Sequence, residues 1–348
     1  MTDKIKVAQI GVTHEHAQGK MTTLRLLDDI FEICGVVDDM QTAKTPKFPS
    51  DQHPFDGIRR LEENELFRLP GLQGVMVEVP NNELVDAGLR CAEHDLPFHL
   101  DKPPGESLAP FGKLLAICRK KKLPMQMGYM YRGNPAFNFS REVIQKGYLG
   151  HIFSMEADMN HNYGGDTYQA YIARFSGGIM FNLGCHLLDF AVSVLGSPKT
   201  VTSFLDSTPD VPPESKNNCC AVLTYPHATV IVRSCSKNPR GNERRMKITG
   251  TGGFIEFSPL EVFGETDFTL TMGLNQAHDQ YDAGIHTVNF GKIRDRYESQ
   301  LREFAGLIRG EMKSAYSFEY EFLLHKVILA ASGYDSWENL KDIPFPEV

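Results

Sequence analysis

Residues 5–17 read IKVAQIGVTHEHA, a short apolar segment that ends at a glycine and a polar stretch. The apolar run predicts a buried strand, and Gly11 predicts a tight turn into a helix. A second strand is predicted over residues 32–37, and it ends at Asp38 and Asp39. A strand, helix and strand in this order are typical of a parallel sheet that carries helices on both faces.

Further along the chain the pattern changes once, near residue 130. Before it, predicted strands alternate with predicted helices (strands 74–79, 98–100 and 124–129). After it come a predicted helix, long strand-like runs that indicate one largely antiparallel sheet, and two late helices (135–145; 152–159, 200–205, 221–225, 229–234, 246–250 and 254–257; 295–309 and 318–335). We therefore predict an α/β protein with an N-terminal Rossmann dinucleotide-binding domain (residues 1–125). A C-terminal α+β domain with a large, mostly antiparallel open sheet would serve substrate binding and oligomerisation (residues 126–348), and its last helices are candidates to pack back on the first domain.

Composition narrows the classes of partner. The 348 residues carry 36 Lys and Arg against 44 Asp and Glu, a net charge of −8, which argues against nucleic acid or an anionic membrane as the main partner. No run approaches the roughly 18 apolar residues of a membrane span, and the first residues lead directly into a strand, so we expect a cytoplasmic protein. The seven cysteines are scattered and never spaced as Cys-x-x-Cys, which favours buried, reduced thiols.

The loop after the first strand retains part of a dinucleotide-binding pattern. Against the ideal G-x-G-x-x-G/A it keeps only Gly11, with Thr13 and His16 at the other two positions. The strand, loop and helix, with Asp38 after the second strand to bond the ribose hydroxyls, still favour dinucleotide binding. The cofactor-binding residues predicted in this segment are Gly11, Val12, Thr13, His14, His16 and Asp38.

Two details of this segment bear on the ligand. Asp39 would repel a 2′-phosphate, so NAD is favoured over NADP. His14 and His16 could be metal ligands, but no third ligand lies nearby in the sequence, and we predict no metal site. The two histidines are expected instead to line a cofactor or substrate crevice.

A lysine follows another predicted strand at a position suited to chemistry. Residues 97–105 read PFHLDKPPG, in which the two prolines end the strand because they lack the N–H that a ladder needs. Lys102 is thereby held at the carboxyl end of a strand, where open α/β sheets bind their ligands. The alternative is an ordinary solvated lysine in a turn.

A second polar constellation lies in the C-terminal half. Residues 176–189 read SGGIMFNLGCHLLD, in which Asn182, His186 and Asp189 are spaced four and three apart and share one face of a helix. These residues could form part of an active site. They could equally be polar groups of a buried helix that satisfy one another.

The order of these motifs resembles the Gfo/Idh/MocA family, named after glucose–fructose oxidoreductase, inositol dehydrogenase and a rhizopine-catabolism protein. The resemblance runs from Ile5 to about Gly196 and more loosely to the end. It implies that Asp101-Lys102-Pro103 corresponds to a Glu-Lys-Pro motif whose lysine is catalytic and whose proline is often cis. It also implies that Asn182 and His186 occupy the positions of an acid and a histidine in a G-G-x-x-x-D-x-x-x-H helix. The first departure is the degenerate glycine loop, and the second is Asn182, which removes a carboxylate.

The resemblance implies an NAD(P)-dependent dehydrogenase or reductase acting on CH–OH groups, here a secondary alcohol or ketone of a sugar, glycoside or cyclitol. His186 suits the general base and Lys102 the stabilisation of the alkoxide, with Asn182 beside them as a neutral group. Further cofactor contacts are expected from Pro80, Asn81, Asp101 and Lys102. The expected substrate contacts are Tyr131, Arg132, Tyr163, Arg174, Asn182 and His186.

Two other functions stay open on the sequence. One is a glycoside-cleaving or lyase-type enzyme that retains NAD and oxidises its substrate transiently, and the other is a non-catalytic ligand-binding relative. In each case the expected partner is a small carbohydrate or polyol. The resemblance also implies a homodimer or homotetramer.

Overall fold

The computed structural model describes residues 3–39, 53–162 and 165–347. Contacts within the chain divide it into two units. The first unit takes Met1–Tyr129, Tyr297–His325 and Pro344–Val348, and the second takes Met130–Arg296 and Lys326–Ile343. The chain thus passes from the first unit to the second at residues 129 and 130 and later returns. None of the described helices is both long and apolar enough to cross a lipid bilayer.

The described residues form 14 strands and 10 α-helices, numbered here in chain order. The strands are β1 Ile5–Ile10, β2 Phe31–Val37, β3 Arg60–Leu61, β4 Gly74–Val77, β5 Phe98–Leu100, β6 Met125–Met127, β7 Ile152–Asn160, β8 Thr200–Asp206, β9 Asn218–Thr224, β10 Thr229–Cys235, β11 Glu243–Gly250, β12 Gly253–Phe257, β13 Thr269–Leu274 and β14 Gly284–Asn289. The helices are α1 Ala17–Leu26, α2 Glu63–Leu66, α3 Leu84–Glu93, α4 Leu108–Lys121, α5 Pro135–Gln145, α6 Asp166–Ile172, α7 Cys185–Leu195, α8 Glu298–Arg309, α9 Phe318–Ala331 and α10 Trp337–Leu340. Short helical turns lie at His53–Phe55, Met130–Gly133 and Met180–Gly184, the last of them π-helical.

The sheet of the first unit is parallel throughout, in the order β3-β2-β1-β4-β5-β6. Its central strands are apolar and buried, as expected for strands covered by helices on both faces. One side of the core is formed by residues of β1, α1 and β4, and the late helix α8 adds Leu301 and Phe304 to it. Strand order reverses between β1 and β4, so the carboxyl ends of these two strands flank the crevice where such sheets bind ligands.

The sheet of the second unit has eight strands in the order β14-β13-β12-β11-β7-β10-β9-β8. All neighbours are antiparallel except β7 and β10. Along β9 the buried residues Cys219, Ala221 and Leu223 alternate with more accessible ones, the pattern of a sheet with one face packed on a core. The predicted fold class, a Rossmann domain followed by a domain with a mostly antiparallel sheet, is confirmed.

No strand is predicted from the sequence between residues 258 and 294, but the structure has two strands there. They are β13, Thr269–Leu274, and β14, Gly284–Asn289. The sequence does not predict β14 because it is an edge strand in which no residue is fully buried. It therefore lacks the apolar alternation that identifies a strand.

Candidate functional site

Gly11 begins the loop at the carboxyl end of β1, and its backbone conformation requires glycine. Its φ is +93°, and a Cβ atom there would lie 2.5 Å from the carbonyl oxygen of Glu78. The Gly11 N–H donates to the carbonyl of Val37 (3.0 Å), and the His14 N–H donates to that of Glu78 (3.2 Å). The loop is therefore fixed against the ends of both neighbouring strands.

The two acids after β2 have separate surroundings. Asp39 is buried and accepts hydrogen bonds from the Val12 N–H (2.8 Å) and from the Thr13 hydroxyl. Burial raises the pKa of Asp39 above its usual range. Asp38 is exposed, and its carboxylate lies 3.3 Å from the Arg60 guanidinium. The sequence predicted that Asp38 serves the cofactor, whereas the structure brings Asp39 to the Gly11 loop.

Helix α1 begins directly after this loop, at the place where a Rossmann domain binds phosphate. His16 is its N-cap residue and makes no side-chain hydrogen bond to cap it. The first backbone N–H groups of a helix and its dipole attract anions. With the glycine turn at β1 and acids at the end of β2, these residues fit a dinucleotide.

Lys102 follows β5 and is fully buried, which excludes a solvated lysine in a turn. Its N–H donates to Asp101 Oδ1 (2.7 Å), and its carbonyl accepts from Asn81 Nδ2 (2.7 Å). Its ammonium lies 3.1 Å from Glu15 Oε1. The Lys102–Pro103 peptide is cis, as the family resemblance implied.

Behind Lys102 lies a buried charged cluster that the sequence analysis did not anticipate. The Lys20 ammonium, on α1, donates to Asp101 Oδ2 (2.9 Å), Glu78 Oε1 (3.1 Å) and the Nε2 atom of His99. Asp101 also accepts from His16 Nδ1 (3.0 Å). All five side chains are at least nine-tenths buried, so one ammonium group joins residues from the ends of β4 and β5 to α1.

Burial sets the protonation states in this cluster. It lowers the pKa of His14 to about 4 and that of His99 to about 3, so both imidazoles are neutral at pH 7. Burial and the neighbouring Asp101 carboxylate raise the pKa of Glu78 well above its usual range. Burial opposes ionisation of Asp101, but His16 and Lys20 outweigh it and hold the pKa of Asp101 well below its usual range. Lys20 and Asp101 are therefore ionised at neutral pH, whereas the raised pKa of Glu78 favours its protonated form.

Two groups in this cluster have the spacing of metal ligands. One is His14, His16 and Asp101, and the other is Glu78, His99 and Asp101. The ligand atoms of the second group are already bonded to the Lys20 ammonium, which supplies the positive charge there. Asp101 belongs to both groups, so a metal ion in either would have to compete with this ammonium.

The second unit holds the remaining predicted site residues. Arg132, in the turn Met130–Gly133, is buried and donates to both carboxylate oxygens of Asp189 on α7 (2.8 to 3.2 Å). His186 is fully buried, and its ring lies 5.5 Å from that of Tyr131. Asn182 Oδ1 accepts from the Tyr168 hydroxyl (3.3 Å).

The predicted α-helical face that carries Asn182, His186 and Asp189 is modified. Asn182 lies in the π-helical turn Met180–Gly184, and α7 begins only at Cys185. Arg174 is exposed just after α6, and Tyr163 lies outside the described residues. Pro80 and Asn81 are buried beyond the end of β4.

Known proteins resemble this chain in sequence and in fold. Residues 137–256 match the family model described as the GFO/IDH/MocA C-terminal domain. The chain is 24% identical over 314 residues to the uncharacterized oxidoreductase C115.03 of Schizosaccharomyces pombe, covering 84% of this chain and 78% of that protein. It is 27% identical over 191 residues to D-apiose dehydrogenase of Rhizobium rhizogenes, covering 52% of this chain and 54% of that protein.

The fold also matches a solved oxidoreductase from Agrobacterium radiobacter in complex with NAD+, L-tartaric acid and magnesium. The TM-score is 0.75 at 20% identity, with 97% of each chain covered. Residues 137–256 are thus similar to the Gfo/Idh/MocA C-terminal domain, and the chain has the fold of solved oxidoreductases.

The charged groups under the Gly11 loop were only partly predicted from the sequence. Sequence reasoning missed Glu15, Lys20, Glu78 and His99. Two of them could have been identified from the sequence. Glu78 and His99 are polar residues inside or directly after apolar runs of parallel strands, where a polar side chain needs a buried partner. Lys20 lies four residues after His16, on the same face of α1. Glu15 occupies a variable position of the loop pattern, so the glycine template gave it no weight.

Proposed function

We propose that this chain is an NAD(H)-dependent oxidoreductase that interconverts a secondary alcohol and a ketone on a sugar, glycoside or cyclitol. The observation that carries the proposal is Lys102, a buried ammonium held at the carboxyl end of β5 on the same sheet edge as the Gly11 loop. D-apiose dehydrogenase supports a carbohydrate substrate, and the NAD+ complex of the Agrobacterium oxidoreductase supports the cofactor.

The residues that would hold the cofactor lie in the first unit. Gly11, Val12 and Thr13 form the turn before α1, whose N-terminus attracts phosphate. Asp38 and Asp39 place two carboxylates after β2, and these would repel the 2′-phosphate of NADP. NAD is accordingly the preferred dinucleotide. When bound, its nicotinamide ring accepts or donates the hydride.

In this proposal Lys102 binds and polarises the reacting oxygen of the substrate. An ammonium group donates to a hydroxyl and stabilises the alkoxide that develops when the proton departs. Its backbone is fixed on both sides, by Asn81 at the carbonyl and by Asp101 at the N–H, so the side chain starts from a defined point. Preorganisation of this kind avoids reorganisation cost during the reaction.

His186 is proposed as the general base, because a neutral imidazole accepts a proton near pH 7. Asn182 is proposed as its neutral neighbour in sequence, and Tyr131, Arg132 and Arg174 as substrate contacts. The Arg132–Asp189 pair gives Arg132 a fixed orientation for that role. A cytoplasmic location and a homodimer or homotetramer stay predictions from the sequence.

The test is turnover with a panel of sugars and cyclitols, followed as NADH formation at 340 nm. NAD and NADP binding are measured separately by calorimetry. Lys102→Ala and His186→Ala should each lower turnover by about 10²- to 10⁴-fold with NAD binding retained. Lys120→Ala, an exposed lysine on α4, is the matched control. A near-normal rate in Lys102→Ala would contradict the proposal, and retained NAD without net NADH would favour the transient-oxidation alternative.

A further inference from the structure

Glu15 lies between the Gly11 turn and the start of α1, and its carboxylate contacts Lys102. Its Oε1 atom is 3.1 Å from the Lys102 ammonium, with 9% of the Glu15 side chain and none of the Lys102 side chain exposed. The same oxygen is 3.5 Å from His16 Nε2. The opposite ring atom of His16, Nδ1, contacts Asp101. Glu15 is thus held between the lysine and the buried cluster.

Glu15 is ionised despite its burial. Burial alone would raise its pKa, but the Lys102 ammonium, followed by His16 and His14, outweighs this effect and lowers the pKa of Glu15 below its usual value. The titratable groups of the first unit that face this pair include His14, His16 and Asp101. At neutral pH the pair is one carboxylate and one ammonium.

We infer that Glu15 is the positioning residue of Lys102, a carboxylate from the cofactor-binding loop that keeps this lysine charged and aimed. The inference rests on the proposed function of Lys102. It assigns Glu15 a purpose that the glycine pattern does not contain. Glu15 also supplies Lys102 with a carboxylate in a chain that has Asn182 where the resembled motif has an acid.

The location of Glu15 gives the inference a specific signature. A carboxylate beside the N-terminus of α1 repels phosphate, and its pairing with Lys102 cancels that charge. Removing only the charge of Glu15 takes this carboxylate away from the Lys102 ammonium near the dinucleotide. Cofactor binding should then hold or tighten while turnover falls. A merely structural role would weaken both.

The activity test compares Glu15→Gln with Glu15→Asp. Glu15→Gln should lower kcat by about 10-fold or more without raising the Kd for NAD. The alkaline limb of its pH–rate profile should move to lower pH by about one to three pH units, because an ammonium without its carboxylate loses its proton more easily. Glu15→Asp keeps the charge and should recover part of kcat. A wild-type rate and pH profile in Glu15→Gln would overturn the inference.

A second measurement does not depend on turnover. Carboxyl ¹³C NMR, with the Glu15 resonance assigned by its loss in Glu15→Gln, follows the titration of Glu15 in the wild type and in Lys102→Met. Loss of the ammonium should raise the pKa of Glu15. An unchanged titration would show that no such pair exists and would overturn the inference even in an active enzyme. If no substrate is turned over, the proposed function fails, while this measurement still decides whether Glu15 and Lys102 are coupled.

Discussion

Lys20→Met removes the one ammonium that joins α1 to the ends of β4 and β5, and it retains most of the apolar stem. The lost contacts are those to Asp101 (2.9 Å), Glu78 (3.1 Å) and His99, all without solvent exposure. The Lys20 ammonium also lies 5.3 Å from the centre of the Tyr297 ring. Removing one partner of a buried ion pair costs about 3–5 kcal/mol, since the remaining charge keeps its desolvation penalty. We expect a loss of that size in the free energy of unfolding of the first unit.

The two acids that contact Lys20 differ in charge state, so their substitution by amides should change the free energy of unfolding by different amounts. The raised pKa of Glu78 favours its neutral form, and Glu78→Gln replaces that form with a neutral group of the same shape, so it should cost less than about 1.5 kcal/mol. Asp101 is ionised and accepts from Lys20, His16 and the Lys102 N–H. Asp101→Asn should therefore cost several times more, because an amide cannot accept at both atoms.

Urea unfolding at pH 7 followed by far-UV circular dichroism gives the free energies. Hydrogen exchange of peptides covering β1 and β5 shows whether the loss is local to the cluster. Trp337, the single tryptophan, lies in the second unit and reports on that unit by fluorescence. Equal costs for Glu78→Gln and Asp101→Asn would refute the assigned charges, and a Lys20→Met cost below about 1 kcal/mol would refute the role of the ammonium.

Three further outcomes follow from other contacts. Burial lowers the pKa of His14 and His325 to about 4 and that of His99 to about 3, so the free energy of unfolding should fall as the pH falls from 6.5 towards those values. Each histidine should contribute a slope of about 1.4 kcal/mol per pH unit. Urea unfolding of His325→Gln at several pH values should lack one such contribution. Gly11→Ala should abolish NAD binding in calorimetry, whereas Gly57→Ala, with φ +74° and no atom within 4 Å of the new Cβ, should keep it. Arg132→Met removes the guanidinium that pairs with the buried Asp189 carboxylate and should cost about 3–5 kcal/mol by Trp337 fluorescence. Adding Asp189→Leu should recover much of that loss, and no recovery would count against the ion pair as the cause.

The elements of the first sheet could be predicted well, because buried parallel strands are continuous apolar runs with clear stops. β1 and β5 have the predicted bounds, and β2 begins one residue earlier than predicted. β3 has two residues and α2 four, too few to produce a period. β14 is exposed and has no apolar face. The sequence pattern does not predict a strand that is stabilised mainly by its neighbours in the sheet.

The site could be predicted only in part, because its charged contacts join residues far apart in sequence. Lys20 is 58 residues from Glu78 and 81 from Asp101, and Glu15 is 87 from Lys102. Sequence reasoning found the strand ends that carry Asn81 and Lys102, since a strand stop is a local signal. The sequence could not show which side chains of α1 and its preceding loop contact these strand ends, because those contacts depend on the orientation of α1 on the sheet.

The side chains by which the Gly11 loop departs from the ideal glycine pattern share one feature, a contact with a titratable side chain after a strand. Thr13 stands where the pattern has its second glycine, and its hydroxyl is bonded to Asp39. His16 stands where the pattern has a small residue, and its ring is bonded to Asp101. Glu15, between them, is paired with Lys102. Each of these three side chains contacts a titratable group at a strand end. The loop that would bind the cofactor therefore also supplies the carboxylate beside Lys102.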